Sequence, residues 1–302
     1  MPAYKSASQI IDVLERMPKS VSKVIVVDDA CPNKTGKLVQ ERSKDNRVEV
    51  IFNQINLGVG GAVIVGLRRA LETQSDIVVK IDSDGQMDPT LIPELVKPIR
   101  EGASDFSKGT RFDSPEDLES MPKLRLIGNA ALSLINKVSS GYWTVNDPTN
   151  GFIAISKRFA KDLSWEKVAD DYFFESDLLF RARLIGARIS QMRMSAVYGG
   201  EKSGLRPLKV MFPFLWKHSR NQLKRLAYMY LVREWNLGTI YLLASMVSLV
   251  IGISAGILAF EQSRIGTVGT GTAVLSSLGF ILWVQFVTQF LTVDVTSEPR
   301  SR

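Results

Sequence analysis

The chain holds one cysteine and one histidine among 302 residues. A single thiol, Cys31, excludes an intrachain disulfide and agrees with a reducing compartment. His218 is the only imidazole. It lies in a basic stretch and reads as an interfacial residue, so any side-chain base has to be a carboxylate. Net charge is scarce over most of the length as well. The net charge is +7, yet seven Lys/Arg against one acid between Arg206 and Asn236 account for +6 of it. A nearly neutral remainder argues against a nucleic-acid-binding protein and for one local basic zone. No cleavable signal segment is expected at the start.

Charge is missing altogether from two long runs. Gly238 to Phe260 is 23 residues without an ionisable side chain, and a second uncharged run extends from Ile265 to Val293. Each is long enough to cross a hydrocarbon core of roughly 30 Å as a helix. The expected arrangement is a transmembrane hairpin over 237–294, with Glu261 and Arg264 in its far-side turn and a cytoplasmic tail over 295–302. Lys/Arg flanking a span stay on the cytoplasmic side, so both termini and the first 236 residues are expected there. The stretch 206–236 mixes Lys/Arg with Phe, Trp, Leu and Tyr. It reads as amphipathic helices lying in the interface, anchored by Trp216 and Trp235 and reinforced by anionic membrane lipids.

What the chain does have, before the basic zone, is alternation. "SKVIVVDD" (22–29), "RVEVIFN" (47–53) and "DIVVKID" (76–82) read as strands. Helical patterns separate them over Ser8–Met17, Thr35–Ser43 and Val59–Leu71. Near-continuous apolar strands joined by helices imply an α/β domain over 1–205 with a mostly parallel, Rossmann-like sheet. Such sheets bind ligands at the carboxyl ends of their strands. Asp28-Asp29 and Asp82-Ser83-Asp84 both fall at those ends.

Two acids one residue apart at a strand end repel each other and resist burial. A hard divalent cation sharing its shell with phosphate oxygens, Mg²⁺ or Mn²⁺, would neutralise Asp82 and Asp84. Asp88 before Pro89 has a plainer reading as a helix N-cap. "NLGVGGAVIVG" (56–66) contains a partial dinucleotide fingerprint, but its third glycine position is Val63. A partial match is weak; Gly58 and Gly60 are better placed to let a loop and helix start pack close to a nucleotide site.

Taken in order, "VVDDACPNKT", "NLGVGGAVIVG", "DSDGQ", "GTRF" and "NDPTNGF" resemble the family-2 inverting glycosyltransferases of GT-A fold. Within them they are similar to the polyprenol-phosphate, dolichol-phosphate mannose synthase-like branch. The resemblance implies a nucleotide-diphospho-sugar donor and a divalent metal held against the diphosphate. It also implies a membrane enzyme that moves a hexose to a polyprenyl phosphate such as dolichyl or undecaprenyl phosphate. Position by position, Pro2, Ala3 and Tyr4 match a nucleotide loop, with Asp28, Asp29 and Ser83 beside them. Asp82 and Asp84 match the metal acids, and Gln86 a further polar ligand. Arg111 and Arg125 fall where the branch has phosphate-contacting arginines, a role that suits a bidentate guanidinium.

Three departures qualify the match. Ala30 and Cys31 replace Gly and Ser, and alanine adopts positive φ reluctantly, so that turn is expected to take another shape. An arginine after the last strand is replaced near Glu201, leaving Lys202, Arg206 or Lys209 to grip a lipid phosphate. The strand that precedes "PAYN" in the branch is not seen before "PAYK", so either another segment fills a central gap or the natural product starts upstream.

A phosphate acceptor arrives ionised, whereas a hydroxyl needs a base. The candidate bases are Asp147, Glu175 and Asp177. Glu175 shares a helical face with Leu178, Leu179 and Ala182, although acids in a first helical turn also suit the helix dipole. Two alternatives stay open: transfer to a hydroxyl of a lipid-linked glycan, and a non-catalytic nucleotide-sugar-binding membrane subunit. A homo-oligomer is compatible with any of the three.

Overall fold

The computed structural model describes residues 1–111, 123–194 and 207–300, without the side chains of 123–125 and 207–210. The chain divides into two compact units, one of Met1–Gln222 with Pro299–Arg302, the other of Leu223–Glu298. The expected boundaries at 205 and 236 bracket that division.

The first unit opens with a two-residue strand, β1 (Pro2–Ala3), then α1 (Ile10–Glu15), β2 (Val24–Asp28), α2 (Thr35–Arg42), β3 (Val48–Phe52) and α3 (Gly58–Leu71). Strands β1, β2 and β3 pair in that order, all parallel. Next come β4 (Ile77–Lys80), a short 3₁₀ turn, α4 (Ile92–Arg100) and β5 (Phe106–Thr110). They are followed by α5 (Lys123–Ser140), β6 (Ile153–Ser156), α6 (Lys157–Asp162), α7 (Phe174–Leu184), β7 (Ile189–Arg193) and α8 (Pro207–Leu226). The second sheet runs β4-β6-β5-β7, with β6 antiparallel to both neighbours and β5 parallel to β7.

The second sheet is covered on both faces. Strand β6 shows it residue by residue: Ile153 and Ile155 join the cluster with Phe106, Phe159 and Leu178, while Ala154 joins the one with Ile10, Val26 and Leu95. Local signals fix the ends of elements. Asp88 accepts from the Thr90 amide at 3.0 Å with Pro89 at the first position, the expected cap. Ser156 caps α6 through the Phe159 amide at 3.1 Å. Glu175 and Asp177 lie in the first turn of α7 and Arg181 and Arg183 in its last, complementing the dipole.

The start of the chain departs from expectation. Met1–Ala3 themselves run beside β2: Val27 donates to the Met1 carbonyl at 2.9 Å and Asp29 to that of Ala3 at 3.2 Å. Among the described residues β1 forms no ladder with β4. Side chains make the link instead, since Ser83 donates to the Pro2 carbonyl at 2.8 Å and pairs with the Ser6 hydroxyl at 2.7 Å.

His218 is a correction. It is 2% exposed in the first unit, its ring edge-on to Phe173 at 4.8 Å, and not an interfacial residue. Burial among aromatics pushes its pKa down to about 4.

In the second unit the end of α8 continues into a π-helical stretch, Ala227–Arg233, then α9 (Leu237–Ile265) and α10 (Thr270–Thr296). Helices α9 and α10 are long and apolar enough to cross a membrane. Asn236 opens α9 with a capping box, accepting from the Gly238 amide at 2.8 Å while Thr239 accepts from the Asn236 amide at 3.2 Å. Glu261 and Arg264 sit in the last turns of α9, not in the connection, which is Gly266–Gly269. The second helix accordingly starts at Thr270, later than the uncharged run suggests. The two helices pack through glycine: a Cβ on Gly279 would lie 2.5 Å from the Gly252 Cα. Small residues permit that approach where lipid supplies no hydrophobic drive between helices. At the other end Arg225 donates to Asp294 at 2.5 and 3.0 Å, and the Tyr230 hydroxyl adds a third bond at 2.8 Å. Arg225, one of the cations of the basic zone, is therefore neutralised within this unit.

Candidate active site

Two loops at the carboxyl end of the first sheet are built around Asp28 and Asp29, both 3% exposed. Asp28 accepts from the Cys31 amide at 2.8 Å and the Gly36 amide at 2.5 Å, organising the turn and the start of α2. Asp29 accepts from the Asn53 side chain at 2.8 Å and the Leu57 amide at 2.9 Å, joining the loops after β2 and β3. The turn between them corrects the expectation for Ala30, which takes φ +51°. The amides locked onto Asp28 hold alanine in the left-handed region despite a cost of about 1–2 kcal/mol.

Cys31 ties this turn to the N-terminal loop, accepting from the Lys5 amide at 3.1 Å with Thr35 Oγ1 also at 3.1 Å. Burial pushes the thiol up, but the hydrogen bonds from Thr35 and backbone amides outweigh it and hold the pKa below its ordinary value. Beside it Ala3 is buried and Tyr4 is 46% exposed. The glycines of "NLGVGG" pack on protein: a Cβ on Gly60 would lie 2.7 Å from the Ala169 carbonyl, and Gly58 has φ +79°. They bring the start of α3 against residues 169–170, with protein backbone as the neighbour.

The second group of residues lies past β4. Asp84 accepts from the Gln86 amide at 3.0 Å, closing a turn with Gly85 at φ +77°. Asp82 is held by Lys80, whose ammonium is 2.8 Å from one carboxylate oxygen and 3.0 Å from the other. The same ammonium is 3.4 Å from Glu175 at the start of α7. Burial alone would depress the Lys80 pKa, but Asp82 and then Glu175 outweigh it and raise it. Gly151 of "NDPTNGF" makes room for this ammonium, since a Cβ there would lie 2.0 Å from Lys80 Nζ.

A second lysine, Lys108 on β5, is 1% exposed and donates to the Asn150 carbonyl. Burial brings its pKa down to about 8, against the pull of Asp147 and Glu175. Neither lysine was singled out from the sequence, although a lysine inside the apolar "DIVVKID" was a visible signal. The "FSKGT" strand carried none.

The three candidate bases are all engaged. Asp147 is fully buried and accepts from the Arg111 side chain at 2.7 and 3.0 Å, from its amide at 3.2 Å and from Asn150 at 3.3 Å. Asp177 accepts from the Ala169 amide at 3.0 Å, Arg181 at 2.7 Å and Asn221 at 2.8 Å. It braces α7 against the preceding loop and α8. Glu175 has Lys80. Arg125 and Lys209 lie in helices α5 and α8, but their side chains are outside the described residues, as are Glu201, Lys202 and Arg206 altogether.

Among the described residues no group of three or more His, Cys, Asp or Glu side chains converges as a metal site. Asp82 and Asp84 nevertheless suit a hard cation that brings its own phosphate oxygens. Asp84 supplies a carboxylate in a formed turn, and Asp82 is one that a cation would share with Lys80.

Residues 1–164 match the family described as glycosyl transferase family 2. The chain is similar to the UDP-N-acetylglucosamine–dolichyl-phosphate N-acetylglucosaminyltransferase of Methanococcus voltae, 31% identical over 71% of this chain and 90% of that one. It is also similar to the undecaprenyl-phosphate mannosyltransferase of Micrococcus luteus, 29% identical over 65% and 82%. Glucosyl-3-phosphoglycerate synthase from Mycobacterium tuberculosis, solved with Mn²⁺, UDP-glucose and phosphoglyceric acid, superposes with a TM-score of 0.52. That likeness, at 20% identity over 74% of this chain and 77% of that one, concerns the fold.

Proposed function

Because the chain belongs to glycosyl transferase family 2, we propose that it moves a hexose from a nucleotide-diphospho-sugar to a polyprenyl phosphate at the cytoplasmic face of a membrane. The observation that carries the acceptor class is the state of the carboxylates. Asp147 is clamped by Arg111, Asp177 by Arg181 and Asn221, and Glu175 faces Lys80. A hydroxyl nucleophile needs a base at hydrogen-bonding distance, whereas a phosphate needs none. A site whose acids are already paired suits the second. The names of the two relatives above, both transferases to a polyprenyl phosphate, support the same reading.

On this reading the loops at Pro2–Tyr4 and Asp28–Asp29 hold the nucleoside, and Asp82, Asp84 and Gln86 hold Mg²⁺ or Mn²⁺ against the diphosphate. The cation, when bound, offsets the charge that develops on the departing diphosphate. Arg111, oriented by Asp147 through two parallel bonds, is the candidate for contacting phosphate, a role that suits a guanidinium. Arg125, Lys202, Arg206 and Lys209 are the further candidates for gripping the acceptor phosphate. The spans α9 and α10, with the basic stretch on their cytoplasmic side, keep the unit at the surface where such a lipid resides.

The test uses the full chain in detergent with polyprenyl phosphate and a panel of UDP-, GDP- and dTDP-sugars, with Mg²⁺ or Mn²⁺. The expected product is a glycosyl ester of phosphate, formed by the wild type and lost on Asp84→Asn. Glu175→Gln is expected to keep its turnover within about tenfold of wild type, against the roughly 10²-fold loss of a removed general base. Transfer only to a hydroxyl-bearing glycolipid would replace this reading with the second, and donor binding without transfer to either acceptor would favour the non-catalytic subunit.

A further inference from the structure

The residue that neither motif nor family resemblance singled out is Lys80. Its side chain is 4% exposed, while those of Asp82 and Glu175 are 26% and 12% exposed. The ammonium thus lies behind two acids that are more open to solvent than it is. Asp82 follows β4 and Glu175 opens α7, 95 residues away from Lys80 in sequence. Gly151 leaves open the space that a Cβ would fill at 2.0 Å from Nζ. Lys108, the other buried lysine, directs its ammonium to the Asn150 carbonyl and pairs with no carboxylate among the described residues.

We propose that Lys80 is a positioning residue that selects for an anionic acceptor by neutralising Glu175 from behind, while holding Asp82 on the donor side of the same ion-paired cluster. This rests on the functional reading above. An unopposed Glu175 would meet an incoming phosphate as a like charge in a partly desolvated site, where such repulsion is strong. Sharing Lys80 with Asp82, it presents less negative charge than it would alone. The cluster also connects donor to acceptor. Were Asp82 to share a cation brought by the nucleotide diphosphate, less of the Lys80 charge would be spent on Asp82 and more of it would act on Glu175. Donor binding then favours binding of the anionic acceptor, the sign needed for donor-first order.

The experiment is steady-state kinetics of the full-length protein in detergent, at saturating nucleotide-sugar and Mn²⁺, with polyprenyl phosphate varied. Lys80→Met is expected to raise the acceptor KM about tenfold, which corresponds to about 1.4 kcal/mol. Adding Glu175→Gln to that variant is expected to bring KM back to within about threefold of wild type, a coupling expected of contacting charges. General loosening of the fold would lower kcat and would not be rescued by removing a second buried-site group. Thermal melting and UDP binding check that each variant is folded. Should Lys80→Met fail to fold, Glu175→Gln alone reads the same effect: with Lys80 opposed only by Asp82, acceptor KM is expected to fall.

Wild-type transfer to polyprenyl phosphate with no rescue in the double variant, or a raised KM in Glu175→Gln, overturns this proposal and leaves the functional reading standing. No wild-type transfer to polyprenyl phosphate overturns both.

Discussion

His218 offers a quantitative test of the packing in the first unit. The Ser139 hydroxyl donates to the Asn136 carbonyl at 3.2 Å, so at 2.7 Å it accepts the hydrogen bond of His218 Nδ1. That places the neutral ring's hydrogen on Nδ1 and leaves Nε2 a bare lone pair, buried and without a hydrogen-bond partner among the described residues. Protonation would put a cationic N–H there, facing Phe173 and Phe214. The folded-state pKa of about 4 lies below the unfolded value near 6.5. The unfolded chain therefore takes up this proton first. Stability is complete above about pH 6.5, falls by up to about 1.4 kcal/mol per pH unit below it, and levels off near pH 4. The whole loss is roughly 3 kcal/mol. At about pH 5 roughly 2 kcal/mol is gone, which lowers the melting temperature of a domain this size by about 4–8 °C. Replacing the imidazole by phenyl removes the proton and keeps a ring of similar volume. The assay is circular-dichroism melting of the detergent-solubilised protein across this range, wild type against His218→Phe. Other groups titrate in both proteins, so the difference between the two curves isolates this one. Parallel curves would refute the argument.

Asp294→Asn leaves the Arg225 charge, 1% exposed, without its counter-ion, and is expected to cost about 3–5 kcal/mol. The double change Arg225→Met with Asp294→Leu should recover most of that in the same detergent melt. Gly151→Ala drives a methyl to 2.0 Å from Lys80 Nζ and 2.8 Å from Asp82 Oδ2. Sugar transfer is expected to drop about 10²-fold, the scale of a misplaced group in a site, and full activity would contradict the niche. Ala30→Gly relieves a left-handed alanine at φ +51°. Its gain of about 1–2 kcal/mol is partly cancelled by the added freedom of the unfolded chain, about 0.4–1 kcal/mol. A net rise of about 0.5–1 kcal/mol in urea denaturation is the expected outcome.

The regular elements were legible because each has a local cause. The β-branched run "VIVVD" is a buried strand in any parallel sheet, and Asp88-Pro89 caps the next turn whatever that turn packs against. The two long apolar helices were equally plain, since an absence of charge over more than twenty residues suits few other elements. What local pattern could not give was the end of the first span. Glu261 and Arg264 read as loop because they are charged, yet a helix leaving the hydrocarbon core continues into the headgroup region at no cost to its backbone bonds. Gly266 ends it, with φ +157° in a turn of small residues. His218 failed for a related reason. Its neighbours in sequence are basic, but helical geometry places it with Phe214 and Asn221 on the inner side of α8, while Trp216 and Phe212 remain 71% and 73% exposed.

The acids mark the boundary of what sequence can say about chemistry. That Asp82 and Asp84 stand at a strand end is readable in the pattern; that Asp82 already has a cation is not. The partner, Lys80, is two residues earlier, the last residue of β4. A lysine among valines there should have raised the question of what neutralises it. The answer needed Glu175, and that meeting is tertiary, as are those of Asp147 with Arg111 and of Asp177 with Asn221. A list of carboxylates suggests a base. The same carboxylates, each with its cation or amide in place, suggest a surface prepared for a nucleophile that arrives already ionised. Motif matching reads the acids, and only the fold shows that their charge has been answered from behind.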